Sequence, residues 1–307
     1  MSGRSTSSRD ALIAAVLDFV GHDVLSLSDV RTALEAEVDE AGDAALVTLK
    51  ARMVADRGWD YSPGDPLVQR IHHRLADRFL KPDSQVLGVE HLATVADVPV
   101  VLFSNHLSYA DANVIEGLLY RSGGSAMADR MTVVAGPKVF TSRERRFASL
   151  CFGTVRAPQS TDVSSEEAVL NARDVARAAR QSIDVALERL AAGDALVLFG
   201  EGTRSRSGGM QPLLPAVARY LDQPGIWVLP VGLSGTESIF PIDKPALAPA
   251  TVVMHIGRPF RADALLADVG GDRRAAVDAI GRAIAELLPP AYRGVYDSGS
   301  APQHSES

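Results

Sequence analysis

The sequence predicts an α/β fold, a largely parallel or mixed sheet flanked by helices and preceded by a smaller N-terminal helical module. Two observations carry this. Beyond Ser84, short β-branched runs alternate with helical stretches, and before Lys81 the apolar residues recur only at helical spacing. A chain of 307 residues, 46% hydrophobic and 22% charged, is long enough for one such domain with an extension, and its composition excludes collagen-like, coiled-coil and disordered classes.

Residues 1–8 are polar and Ser-rich and are expected to form a flexible start. In the helical module, residues 9–83, Leu12, Val16, Phe19 and Val20 share one helix face. Ser28 and Asp29 can cap a second helix running to Arg57, and Leu67, Ile71, Leu75 and Phe79 recur at spacing four. No strand signal is present there, and Lys81-Pro82-Asp83-Ser84 reads as the break. In the α/β domain, residues 84–296, strands are expected at Pro99–Ser104, Met131–Ala135, Ala195–Phe199, Ile226–Val231 and Thr251–Ile256. Helices are expected over Asn113–Tyr120 and Ser164–Ala192, the second with Val169, Ala172, Ala176, Ile183 and Leu190 on one side and Arg173, Arg177 and Arg180 on its wet side. Residues 297–307 have almost nothing to bury and are expected to be a disordered tail.

Net charge is −7, so the whole molecule offers no long-range attraction to nucleic acid, and no nucleic-acid partner is expected. The charge is uneven. Arg130, Lys138, Arg143, Arg145, Arg146 and Arg156 stand against Glu144 alone, so something anionic can sit near that stretch, although a solvated surface explains a charge run equally well. The single cysteine, Cys151, excludes an internal disulfide and Cys-rich metal sites; no metal is expected, and the residue reads as a buried small hydrophobe. No apolar run reaches the roughly 18 to 20 residues of a membrane-spanning helix, and Ala11–Val20 lacks the basic start and cleavage site of a signal peptide. The expected location is cytoplasmic, with peripheral contact at the inner face of a membrane.

Two segments carry chemistry. The strand ending at Ser104 runs into Asn105-His106-Leu107-Ser108-Tyr109-Ala110-Asp111, and ligands in open α/β sheets gather at the carboxyl ends of strands. His106 and Asp111 are five apart, about 500° of helical rotation, so they can meet only across a strand-to-helix turn. A carboxylate on one imidazole nitrogen fixes the tautomer and frees the other as a general base. Ser108-x-x-Asp111 also fits a helix capping box, which would leave His106 an ordinary loop histidine. The second segment follows Ala195–Phe199 and reads Gly200-Glu201-Gly202-Thr203-Arg204-Ser205-Arg206. Its glycines allow a ligand to approach the backbone, and Arg204 and Arg206 can grip one phosphate. It is neither a Walker loop nor a dinucleotide fingerprint.

Together, Asn105-His106-x-Ser108-x-x-Asp111 and Phe199-Gly200-Glu201-Gly202-Thr203-Arg204-Ser205 resemble the glycerolipid acyltransferases, which acylate glycerol-3-phosphate and 1-acylglycerol-3-phosphate (lysophosphatidate). Phe152-Gly153-Thr154-Val155-Arg156 looks like that family's second motif and Val228-Leu229-Pro230-Val231-Gly232 like its fourth, so the similarity spans about Val86 to Pro259. Gly200 stands where the family usually has Pro, and Gln211-Pro212-Leu213-Leu214 replaces its usual Phe-Lys-x-Gly. The resemblance implies His106 as the base, Asp111 as its orienting partner, and Glu201, Gly202, Thr203 and Arg204, with Arg206 and Arg156, at the acceptor. The donor would be acyl-CoA or acyl-carrier protein as co-substrate, with no cofactor. The helical module and Met131-Thr132-Val133-Val134-Ala135-Gly136 look more like soluble plastid-type enzymes, which makes glycerol-3-phosphate the first acceptor and lysophosphatidate the second. Two rivals stand beside this reading. An acyl-thioester hydrolase could use Ser234, but Thr236 replaces the second glycine of Gly-x-Ser-x-Gly; a non-catalytic phospholipid-binding module would have no need of the His106/Asp111 pair.

Overall fold

The computed structural model describes residues 8–20, 27–55, 58–158, 172–241 and 247–297. The expected flexible start and tail lie outside these residues, apart from Ser8 and Asp297, as do Arg57 and 164–171 of the long helix.

Three helices come first: α1 (Ser8–Val20), α2 (Leu27–Val54), bent at Gly42 where φ is 73°, and α3 (Pro66–Phe79). Asp65 caps α3 by accepting from Leu67 N at 3.0 Å, with Pro66 at the first position, where the missing N–H costs nothing. Between α2 and α3 lies a two-residue strand, β1 (Tyr61–Ser62), where only helical signal is legible. Two residues cannot display a period-2 pattern. They are held by tertiary contact, since a Cβ at Gly153 would lie 2.7 Å from the Tyr61 ring.

The sheet continues with β2 (Gln85–Leu87), β3 (Val100–Ser104), β4 (Met131–Ala135), β5 (Gly153–Arg156), β6 (Ala195–Phe199), β7 (Trp227–Ser234), β8 (Val253–Ile256) and β9 (Phe260–Arg261). Its helices are α4 (Asp111–Arg121), α5 (Ser125–Ala128), α6 (Lys138–Thr141), α7 (Arg143–Ala148), α8 (Ala172–Ala191), α9 (Ala262–Asp268) and α10 (Arg273–Ala285). Spatial order is β1-β5-β4-β6-β3-β7-β8-β2, with β9 beside the start of β7. The run β5-β4-β6-β3-β7 is parallel, while β1 pairs antiparallel with β5, and β8 and β9 with β7, so the sheet is mixed. The five expected strands all form; β7 extends to Ser234, and β8 begins at Val253 rather than Thr251.

Strand alternation sorts side chains to two faces. Val100, Leu102, Val133, Val197 and Leu229 pack with Ile13, Leu34, Ile71 and Ile115 of α1–α4, so the N-terminal helices and one face of the sheet share a core. Val101, Phe103, Leu196, Leu198 and Val228 pack with Leu190 of α8 and Val277 and Ile280 of α10. Buried on both faces, β3 is five consecutive apolar or small residues with no polar alternation. Among the described residues no helix is long and apolar enough to cross a membrane.

What matters for function is the register. Ser104 at the end of β3 lies opposite Phe199 at the end of β6, so the two motif-bearing loops leave the sheet side by side. This is the carboxyl end of the parallel strands, where such sheets build ligand sites.

Candidate active site

At the end of β3 the main chain leaves the sheet, and the buried side chain of Asn105 takes its place. Its Nδ2 donates to Leu233 O at 2.9 Å and its Oδ1 accepts from Leu233 N at 2.8 Å, so a carboxamide reproduces the two hydrogen bonds of a peptide group. The backbone is thereby free to turn, and it carries His106 outward.

One carboxylate oxygen closes that turn. Asp111 Oδ2 accepts from His106 Nδ1 at 2.8 Å, from Leu107 N at 2.7 Å and from Ser108 N at 2.9 Å, while Oδ1 is buried without a hydrogen-bond partner. The group that closes the turn and the imidazole partner are therefore the same. Helix α4 starts at Asp111, two residues before the periodicity indicates, and the N–H groups that the carboxylate satisfies, those of Leu107 and Ser108, belong to the turn that leads into it. Holding Nδ1–H leaves Nε2 as the basic nitrogen. The His106 side chain is 17% exposed, enough for Nε2 to meet a substrate, and its ring stacks on Phe199 at 4.5 Å between centroids.

The loop after β6 grips the His106 backbone from both sides. Glu201 Oε1 accepts from His106 N at 2.9 Å, and Ser205 N donates to His106 O at 2.7 Å. The second Glu201 oxygen accepts from Gln211 N at 2.7 Å, so this buried carboxylate is directed inward and ties three segments. Burial pushes its pKa up to about 6 against the backbone hydrogen bonds that favour the charged form. Gly202 is exposed with φ of 71°, in the left-handed region where a side chain is strained, so the position favours glycine. Thr203 is exposed beside it.

The predicted cations separate. Arg204 lies over the Tyr109 ring, 4.1 Å from the centroid, at the mouth of the His106 turn. Arg206 is exposed and makes no hydrogen bond or ion pair among the described residues. Arg156 ends β5, which stands three strands from β3, about 14 Å at the usual strand spacing, and stacks on Trp59 and Phe140 beside a different cavity of about 220 Å³. It is not brought together with His106. Three residues outside the predicted set do shape the site. Tyr109 and Phe199 supply aromatic walls, and Arg145 of α7 reaches the same Tyr109 ring at 4.8 Å. The basic run around Arg145 is visible in sequence, but nothing in its spacing points to Tyr109.

Ser234, at the end of β7, makes no hydrogen bond to a histidine among the described residues, and Cys151 is fully enclosed, with its pKa raised by burial. No group of three or more His, Cys, Asp or Glu among the described residues is arranged to hold a metal ion. The site is thus a histidine–aspartate base beside exposed glycine backbone and arginine, suited to deprotonating a hydroxyl next to an anion.

Residues 84–234 match the family model described as Acyltransferase. A solved structure similar to the chain is that of the 1-acyl-sn-glycerophosphate (LPA) acyltransferase PlsC from Thermotoga maritima, at 17% identity, covering 91% of this chain and 97% of that one, with a TM-score of 0.49. No curated protein matches. The segment that holds His106, Asp111 and the Gly200–Ser205 loop, residues 84–234, belongs to the acyltransferase family.

Proposed function

We propose that this enzyme moves a fatty acyl group from an acyl thioester, acyl-CoA or acyl-carrier protein, to a hydroxyl of glycerol-3-phosphate in phospholipid biosynthesis, with 1-acylglycerol-3-phosphate as the alternative acceptor. The observation that carries it is the His106 Nδ1 to Asp111 Oδ2 hydrogen bond of 2.8 Å, which leaves Nε2 as a base within a site walled by Tyr109 and Arg204. Nε2 takes the acceptor hydroxyl proton as the oxygen attacks the thioester carbonyl; the C–S bond breaks, and the imidazolium returns its proton to the leaving thiolate. Asp111 stabilises that imidazolium. Arg204 holds the acceptor phosphate, so binding energy remote from the reacting centre aligns a weak nucleophile. The amides of Thr203 and Arg204 are the expected oxyanion donors, since Gly202 N already donates to Phe199 O at 3.1 Å.

The product is a lipid, and the reaction is assigned to the inner face of a membrane by peripheral contact. Lys138 and Arg143 are the cations for it, because Arg146 donates to Ala55 O and Arg52 O within the fold.

The test is thiol release from acyl thioesters with a panel of acceptors, followed by mass identification of products. Release only with a phosphorylated glycerol acceptor supports transfer. Release without any acceptor would make the protein a thioester hydrolase, and no release with any acceptor would favour a binding module.

A further inference from the structure

The guanidinium carbons of Arg204 and Arg145 lie 4.1 Å and 4.8 Å from the centroid of one ring, Tyr109, three residues beyond His106. They therefore stand no more than about 9 Å from each other, the sum of those distances. Two like charges brought so near would ordinarily share a carboxylate. Among the described residues no carboxylate comes within the 4.0 Å of an ion pair with either, although the exposed Glu144 on the same helix feels the charge of Arg145. Glu144, on the helix that carries Arg145, accepts from the Ser142 hydroxyl at 2.5 Å; Asp111 is closed by three donors, and Glu201 by two backbone N–H groups. Arg145 is also aimed: its Nη2 donates to Thr141 Oγ1 at 3.3 Å, and its backbone N to Ser142 Oγ at 3.4 Å. The electron-rich ring face accounts for the approach of each cation but does not neutralise either.

We infer that Arg145 is a positioning and specificity-determining residue of this site, the second half of an anion clamp in which Tyr109 spaces two guanidinium forks to hold a phosphate monoester. This rests on the acyl-transfer reading. A terminal monoester carries close to two negative charges at pH 7 and three unesterified oxygens, enough for both forks; a phosphodiester carries one charge and two such oxygens. Tyr109 belongs to the same turn as His106, so an anion seated here is registered against the base itself. The same chemistry occurs in an acceptor phosphate and in the 3′-phosphate of a coenzyme A donor, and the assignment is to the acceptor.

The test compares wild type with Arg145→Gln, Arg145→Lys, Arg204→Ala and the Arg145→Gln/Arg204→Ala double variant. Acceptor KM, donor KM and kcat are measured with glycerol-3-phosphate, 1-acylglycerol-3-phosphate and its phosphocholine diester, and inorganic phosphate is titrated by calorimetry without donor. Arg145→Gln should raise the monoester acceptor KM about 10- to 150-fold, leave donor KM unchanged and abolish phosphate binding. It should also narrow the preference for monoester over diester, and lysine should recover part of the loss. The double variant should lose less than the product of the single losses, because both arginines hold one anion. Independent, multiplying losses, an unchanged acceptor KM, or a loss confined to donor KM would each overturn the clamp. If wild type transfers to no phosphorylated acceptor, the acyl-transfer reading fails, and phosphate binding lost in Arg145→Gln still decides the clamp.

Discussion

Replacing Asp111 by asparagine should separate two jobs that one oxygen performs. Oδ2 accepts from the imidazole and from the amides of Leu107 and Ser108, so an asparagine oxygen placed there keeps all three hydrogen bonds. Its NH₂ then occupies the position of Oδ1, which has no hydrogen-bond partner, and a buried unpaired donor costs about 1 to 3 kcal/mol. The negative charge that stabilises the imidazolium is gone, and turnover should fall about 10²- to 10⁴-fold. Asp111→Ala instead orphans two buried backbone N–H groups as well, at about 1 to 3 kcal/mol each, a large share of the roughly 5 to 15 kcal/mol that holds a domain together. Urea unfolding gives the stabilities, and thiol release in the presence of glycerol-3-phosphate gives the rates. The expected pattern is a folded, slow asparagine variant and a strongly destabilised alanine variant. A folded asparagine variant turning over within threefold of wild type would refute the catalytic role, and an alanine variant as stable as wild type would refute the tie.

Glu116, buried on α4, lies 3.0 Å from His72 Nε2 and 2.8 Å from His73 Nε2 of α3. Burial alone would push its pKa up, but the hydrogen bond to His73 on one oxygen and the approach of His72 to the other override that and hold it down to about 2. A depressed carboxylate stabilises the fold above its unfolded pKa of about 4.5 and loses that contribution as pH falls toward 2, here about 3 kcal/mol. The gap in urea stability between wild type and Glu116→Gln should therefore be widest near pH 6 and shrink steadily as pH falls from about 4.5 toward 2; a constant gap contradicts the charge role. Glu201→Gln should lower stability by about 1 to 3 kcal/mol, because an amide must point a donor at His106 N or Gln211 N, and kcat should fall more than acceptor KM rises. Unchanged urea stability would count against the inward tie. Intact-mass analysis after mixing the enzyme with acyl thioester alone should find no adduct, since Cys151 is buried and its thiol pKa raised; an adduct that acceptor discharges would replace direct transfer with a covalent route.

Sequence was informative where one residue type can do only one thing over a sufficient length. The apolar runs Val100–Ser104 and Ala195–Phe199 could only be buried strands, and the offset of five between His106 and Asp111 required the turn that forms. Elements of two or three residues carry no period, so β1, β2 and β9 emerge only from tertiary pairing. Direction was illegible too. Nothing local tells that Glu201 turns inward to backbone amides while Arg204, three residues on, turns to an aromatic ring. Arg145 and Tyr109 meet through the path of α7 across the site, and Arg156 stands apart because β4 and β6 come between β5 and β3.

The ends of the strand order bear on how readily one copy could add a strand to another. A free sheet edge offers unpaired N–H and C=O groups to any passing chain, and the danger grows with its length and flatness. Here the outermost strands are β1, with two residues, and β2, with three, while the strands they cover, β5 and β8, have four each. A visiting strand therefore finds only one or two residues of ladder on either side before the pairing stops. The Tyr61–Ser62 dipeptide, carried in by the helical segment, thus shields β5 from becoming a template, and a chain trimmed to the start of the matched segment at residue 84 would expose that edge to intermolecular pairing.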